Sequence, residues 1–111
     1  MKILCTICVR GGSKGLRNKN IKNINGKPLV FYTINQAIRS KIFDNITISS
    51  DSYKILNIAK KFGITDLIKR PKNLATDSAP KIPVIKHCLA EMEIRYKKKY
   101  DLIVEIGRAH V

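Results

Sequence analysis

No run of apolar residues in this sequence approaches the roughly 20 that a membrane-spanning helix needs. The apolar opening, Met1 to Val9, is closed by Arg10 and followed by no small-residue cleavage site. It therefore reads as a buried strand rather than a secretory leader, and the cytoplasm is the expected compartment. Cysteine is sparse. Cys5 and Cys8 form a C-x-x-C, but positions three apart on a strand face opposite ways, and no second Cys or His pair stands at ligand spacing. That argues against a zinc or redox centre built on these two. They are expected to be strand thiols in a core, and Cys88 a core residue of a helix. Acidic residues are scarce as well: 8 Asp and Glu against 22 Lys and Arg leave a net charge of +14. Such an excess attracts polyanions. The sequence has no paired aromatics on a strand, no helix-turn-helix and no zinc pattern, which argues against the small nucleic-acid-binding module that charge alone would suggest. The predominance of lysine over arginine, with abundant Asn and Ile, fits an AT-rich coding sequence and a solvated basic surface. Only cations placed beside glycines carry a specific message.

What is present is one small domain's worth of chain, 111 residues at 44% apolar, without internal repeats or low-complexity segments. Residues 3–9 form a β-branched apolar run suited to a buried parallel strand. Residues 10–20 are a loop rich in Gly, Lys and Asn. Asn25-Gly26 marks a turn, and Pro28 suits the first turn of a helix over 29–40, where Leu29, Ile34, Ala37 and Ile38 recur at helical spacing. Residues 45–50 alternate as a second strand. Asp51-Ser52 then caps a helix reaching about Phe62, which Gly63 ends. A third strand over 65–69, a polar loop over 70–83, a third helix over 84–96 and a fourth strand over 101–105 complete the pattern. Strands alternating with helices imply a parallel sheet with right-handed crossovers, and ligands in such folds sit past the carboxyl ends of the strands. The segments that arrive there, 10–20, 49–52 and 70–81, are the polar, Gly-, Ser- or Arg-bearing pieces of the chain.

The first of these is Arg10-Gly11-Gly12-Ser13-Lys14-Gly15-Leu16-Arg17-Asn18-Lys19-Asn20. Its glycines allow close backbone approach to an anion, and successive N–H groups in such turns make an anion-binding nest. Arg10, Lys14 and Lys19 surround it with cations, as a triphosphate requires. The pattern is neither a Walker A loop nor the dinucleotide G-x-G-x-x-G fingerprint. A mobile basic connection is the bland alternative to phosphate binding.

The ordered set Arg10-Gly-Gly-Ser-Lys-Gly, Lys19-Asn20-Ile21 and Asn25-Gly26-Lys27-Pro28-Leu29 resembles the signature of the acylneuraminate cytidylyltransferases, the CMP-sialic acid synthetases. Ser40 to Asp44 with Ile46 to Asp51 resembles that family's "S-x-x-F-D…V-S-T-D-S". Arg70-Pro71, Leu74-Ala75 and Asp77 resemble its "R-P-x-x-L-A-x-D", so the likeness runs over about residues 3–105. The resemblance implies an α/β fold: a three-layer, parallel-sheet, Rossmann-like nucleotide-diphospho-sugar transferase, here cut short. It implies a reaction of CTP with a 2-keto-3-deoxy nonulosonic acid, giving the CMP-sugar and pyrophosphate with Mg2+ bridging the phosphates. The full-length protein would be a homodimer that binds neither nucleic acid nor membrane. By motif position, Arg10, Lys14 and Lys19 would be catalytic. Ser13 would join them on the triphosphate, with Gly11, Gly12 and Gly15 shaping the loop and Asn20 against the nucleotide. Arg70 would reach the nucleotide from the third strand's end, and the segment from Ala75 through Ala79 to Lys81 would lie near the base. Asp51 is either a metal ligand at the second strand's end or a helix cap. Asp77 fits an Asx turn better than a site residue. Lys27 suits a solvated turn, and His87 a core or surface position. Gly15-Leu16 favours the sialic or legionaminic type over pseudaminic or 3-deoxy-manno-octulosonic acid.

The sequence departs from that pattern in two places. Where relatives carry a Ser or Thr near the base, this chain has Ser78-Ala79-Pro80-Lys81-Ile82-Pro83. Where they continue with a Leu-Gln-Pro-Thr-Ser-Pro-type segment, it has Glu105-Ile106-Gly107-Arg108-Ala109-His110-Val111. Ile-Gly-Arg-Ala-His-Val is what a common sequencing adapter encodes in one frame. Residues 106–111 are thus expected to be a non-native tail, His110 among them. Residues 1–105 are expected to be the nucleotide-binding part of a cytidylyltransferase domain that lacks the metal ligands and does not turn over.

Overall fold

The computed structural model describes residues 1–9, 23–24, 26–74 and 81–106. In chain order the elements are β1 (Ile3–Cys8), β2 (Asn23–Ile24), β3 (Lys27–Pro28), α1 (Leu29–Ser40), β4 (Asn45–Ser50), α2 (Tyr53–Lys61), β5 (Asp66–Lys69), a 3-10 turn (Lys72–Leu74), α3 (Lys81–Tyr96) and β6 (Leu102–Glu105). β1, β4, β5 and β6 pair in parallel in the order β5-β4-β1-β6, so the opening strand is internal to the sheet. β2 and β3 form a separate antiparallel ladder around Gly26, whose φ of 82° is one that a side chain would strain.

Alternation along the strands divides the side chains between two faces. On one face Cys5, Ile7 and Val9 of the first strand and its exit join Ile48 of β4. They pack beneath Val30, Ile34 and Ala37 of α1 and Ile55, Leu56 and Ala59 of α2. On the other, Leu4 and Ile68 meet Cys88 and Met92 of α3, with Cys8, Leu89 and Tyr100 packed around them. Among the described residues the result is a three-layer α/β/α arrangement, with α1 and α2 on one side and α3 on the other.

Local chemistry explains most of the boundaries. Ser52 is the N-cap of α2: its side chain accepts from the Ile55 N–H at 3.4 Å. Beyond that helix, Gly63 takes φ 99°, its N–H bonds to Lys60 O at 3.2 Å, and Ile64 N–H bonds to Ala59 O at 3.0 Å. This is a Schellman close, sealed by burial of Ile64. α1 and β4 occupy the expected residues.

Three expectations need correction. Pro28 is not in a helical turn but ends β3, immediately before α1. The cap of α2 is Ser52, and Asp51 lies outside the helix. α3 begins at Lys81 rather than at residue 84, because Pro83 falls in the first turn, where its missing N–H has no intrahelical acceptor to lose.

Candidate functional site at the carboxyl ends of the strands

The carboxyl ends of β1, β4 and β5 lie side by side. The Val9 N–H continues the pairing of β1 by bonding to Ser49 O at 2.9 Å, and the Arg70 N–H does the same for β5, bonding to Ser50 O at 2.8 Å. Arg70 is only 4% exposed. Its guanidinium folds back over the end of β4, donating from Nε to Ser49 Oγ at 3.5 Å and from NH2 to Ser49 O at 3.3 Å. Ser50 is buried too, and its hydroxyl accepts from the Ser52 N–H at 3.1 Å. Among the described residues the edge is thus lined by Ser50, which holds the backbone, by Ser49, which accepts from Arg70, and by the buried Arg70 cation itself. The amino ends of α2 and α3 carry no acidic residue in their first turns to offset their positive dipole ends.

Two sulfurs complete this corner. Cys8 pairs in register with Ser49, and α3 brings the buried Cys88 against the same face. The Cys8 thiol donates to Cys88, which pushes its own titration well above the ordinary range, with burial adding to the effect. Cys88 is drawn down instead, first by that hydrogen bond, then by the Ser49 hydroxyl and the nearby Arg70 guanidinium. Cys5, on the opposite face, is pushed up to about 12, mainly by burial.

Among the sequence-predicted residues, Arg70 is at the predicted edge. Its side chain is engaged with Ser49 and stands beside Cys8 and Cys88. Lys81 opens α3, where its Nζ lies 3.5 Å from Glu105 Oε2 of β6. With the lysine side chain 62% exposed, that ion pair contributes little. Asp51 directly follows the last residue of β4, on the same edge. Arg10, Gly11, Gly12, Ser13, Lys14, Gly15, Lys19, Asn20, Asp77 and Ala79 lie outside the described residues, as does His110. His87 is on α3 with a buried Nδ1 that has no hydrogen-bond partner, as is also true of Thr6 Oγ1 and Glu105 Oε1. Ile106 continues from β6 by donating its N–H to Thr6 O at 3.0 Å and packs against the core.

Sequence reading placed residues 49–52 at this edge but missed Ser49 as the partner of Arg70 and the meeting of Cys8 with Cys88. The alternation of β1 already put Cys8 on the face of Leu4 and Thr6, but which helix would cover that face was not written locally.

Among the described residues no group of three His, Cys, Asp or Glu side chains could hold a metal ion. No helix there is long and apolar enough to cross a membrane. A cavity of about 250 Å³ opens at the opposite edge, lined in part by Asp44, Asn45, Asp66 and Tyr96. Its carboxylates and its tyrosine already have partners: the Tyr96 hydroxyl donates to the Asp66 carboxylate at 2.7 to 2.8 Å, and Asp44 accepts from the Ile3 N–H at 2.6 Å. It is a gap in packing rather than a second ligand site.

A family model described as cytidylyltransferase matches residues 4–106. The chain belongs to the cytidylyltransferase family. It is 47% identical over 105 residues to post-translational flagellin modification protein B of Campylobacter coli, covering 95% of this chain and 45% of that protein. It is 43% identical over 105 residues to the CMP-N,N'-diacetyllegionaminic acid synthase of Campylobacter jejuni, again covering 95% and 45%. With the N-acylneuraminate cytidylyltransferase of Escherichia coli O18:K1:H7 the identity is 44% over 89 residues, covering 80% of this chain and 21% of that one. This family member therefore spans less than half the length of these curated relatives. In fold it is similar to CMP:2-keto-3-deoxy-manno-octonic acid synthetase complexed with CTP, with a TM-score of 0.72 and 19% identity over 96% of this chain and 40% of that one.

Proposed function

We propose that this chain is the CTP-binding part of a cytidylyltransferase that activates a nine-carbon 2-keto-3-deoxy sugar acid of the sialic or legionaminic type. The observation that carries the reading is positional. Arg10-Gly11-Gly12-Ser13-Lys14-Gly15 follows directly on β1, an internal strand of a parallel sheet, in a chain of this family. Such a sheet collects ligands beyond its carboxyl ends. Glycine N–H groups with Arg10, Lys14 and Lys19 form a donor set suited to a triphosphate. The names of the relatives, one a diacetyllegionaminic acid synthase and another an N-acylneuraminate cytidylyltransferase, support the sugar class.

In this reading the anomeric hydroxyl of the sugar attacks the α-phosphorus of CTP and pyrophosphate leaves. Arg10, Lys14 and Lys19 offset charge on the phosphates, the segment around Ala79 and Lys81 contacts the nucleoside, and Arg70 would reach it by turning out of its contact with Ser49. Mg2+ fits the donor set in part. Such an ion takes one or two carboxylates together with phosphate oxygens, and Asp51 would supply one carboxylate at this edge. When bound, it would neutralise phosphate charge. With the chain spanning 45% of its relatives, we infer that it binds CTP without turning it over. The setting would be cytoplasmic and the longer protein a homodimer.

The test is a calorimetric titration of the 111-residue chain with CTP, ATP and a short oligonucleotide at moderate and high salt. Binding that prefers CTP and weakens about tenfold or more on Lys14→Ala supports the reading. A steeply salt-dependent preference for the oligonucleotide, indifferent to the nucleotides, overturns it in favour of a basic nucleic-acid module.

A further inference from the structure

The C-x-x-C of β1 is no redox pair, because the fold sends Cys5 into the core under α1 and α2 while Cys8 turns toward α3. Cys8 acquires a different partner. Cys88, fully buried on α3, packs in the same cluster, and its sulfur lies within hydrogen-bonding reach of the Cys8 thiol. Both are free thiols. The surroundings are suited to a negatively charged sulfur: the Ser49 hydroxyl bonds to Cys88, and the buried Arg70 guanidinium stands beside both cysteines. Cys8 is only partly buried, which leaves a small reagent a way in.

We infer that Cys8 and Cys88 are a dithiol modification site, which a peroxide oxidises to an intramolecular disulfide tying the carboxyl end of β1 to α3. In the first step the Cys88 sulfur attacks one peroxide oxygen. An S–O bond forms, the O–O bond breaks, and the departing hydroxide takes the Cys88 thiol proton to become water. In the second the Cys8 sulfur attacks Cys88 Sγ, the S–O bond breaks, and the leaving hydroxide carries away the Cys8 proton as a second water. Two thiols are oxidised and one peroxide is reduced to two waters. For the bond to form the sulfurs must close to about 2.05 Å. Cys8 stands two residues before Arg10, so the bond would clamp the root of the glycine-and-cation segment. The inference itself does not depend on what that segment binds.

The experiment treats the 111-residue chain with a few equivalents of hydrogen peroxide, unfolds it, alkylates the remaining thiols and maps the peptides by mass. The free-thiol count should fall from three to one, with Cys5 alkylated and a single peptide pair joined through Cys8 and Cys88. Cys5→Ala should keep the bridge. Cys8→Ala should abolish it and leave Cys88 alkylated or over-oxidised, and if that variant does not fold, Cys88→Ala serves the same purpose. A bridge that includes Cys5, cross-links between chains only, or three thiols still free would each overturn the inference. None of these readouts involves CTP, so they stand or fall apart from the proposed activity.

Discussion

Cys5 and Ile7 meet apolar neighbours beneath α1 and α2, whereas Leu4, Thr6 and Cys8, their alternates on the same strand, share a face with Asn45, Thr47, Ser49 and Asp66 beneath α3. The first face is held by volume. The second adds to its smaller apolar cluster of Leu4, Ile68, Cys88 and Met92 a set of hydrogen bonds arranged in two groups. At the amino end the Tyr100 hydroxyl bonds to Asn45 at 2.6 Å, and Tyr96 and Arg95 both reach Asp66. At the carboxyl end Arg70, Ser49, Cys8 and Cys88 gather. Between them the Thr47 hydroxyl donates to Asp66 O at 2.7 Å. Most buried polar groups need partners, and on this face all but the Thr6 hydroxyl among those named have one. The comparison therefore separates a face filled almost wholly by apolar side chains from one that also buries partnered polar groups.

Four substitutions or conditions would break or sharpen that contrast. The largest effect is expected on the apolar face: Ile48→Ala, at a site with no solvent exposure, should cost about 2–5 kcal/mol in urea denaturation. A loss below about 1 kcal/mol would mean that the face is loosely filled. On the α3 face, Tyr96→Phe should cost about 1.5 kcal/mol, the worth of a hydrogen bond from a partly exposed tyrosine to a charged group. An unchanged midpoint would remove Asp66 from the stability account.

Alkaline titration adds a third comparison. The folded pKa of Cys5 is raised from 9.0 to about 12, so its contribution is fully present below pH 9 and is lost as pH climbs toward 12, while the unfolded thiol ionises first. The difference in slope between the parent chain and Cys5→Ala, measured by denaturation at successive pH values, should approach about 1.4 kcal/mol per pH unit in that window. Equal slopes would contradict the burial of this thiol. The smallest effect belongs to Thr6→Val. Its buried hydroxyl has no partner, so an isosteric apolar side chain should be neutral or stabilising by up to about 1 kcal/mol. A clear destabilisation would show that Thr6 Oγ1 is solvated or bonded in solution.

How far the sequence was legible depended on where the deciding interaction lay. α1 runs from Leu29 to Ser40 as the spacing of Ile34, Ala37 and Ile38 required, and β4 from Asn45 to Ser50 as its alternation required. Gly63 closes α2 for the reason read from its position. The antiparallel ladder of β2 and β3 escaped notice because two-residue strands carry no periodicity, only the turn at Gly26. The start of α3 was misplaced because three prolines in a polar stretch look like loop, although Pro83 is harmless in a first helical turn. At the candidate site, motif order anticipated Arg70 at its strand end, but nothing local foretold that its guanidinium would turn back onto Ser49.

By itself the sequence determined the alternation of strands and helices, the glycine-and-cation segment after β1 and the family to which these motifs belong. Such features are written within a few residues, by hydrophobic period, capping chemistry and local motif. Only the tertiary structure decided that α3 covers the polar face of the sheet, that Cys8 meets Cys88 and not Cys5, and that Arg70 is buried beside them. These contacts join residues far apart in sequence, and what selects them is the order of strands in the sheet and the side on which each helix packs.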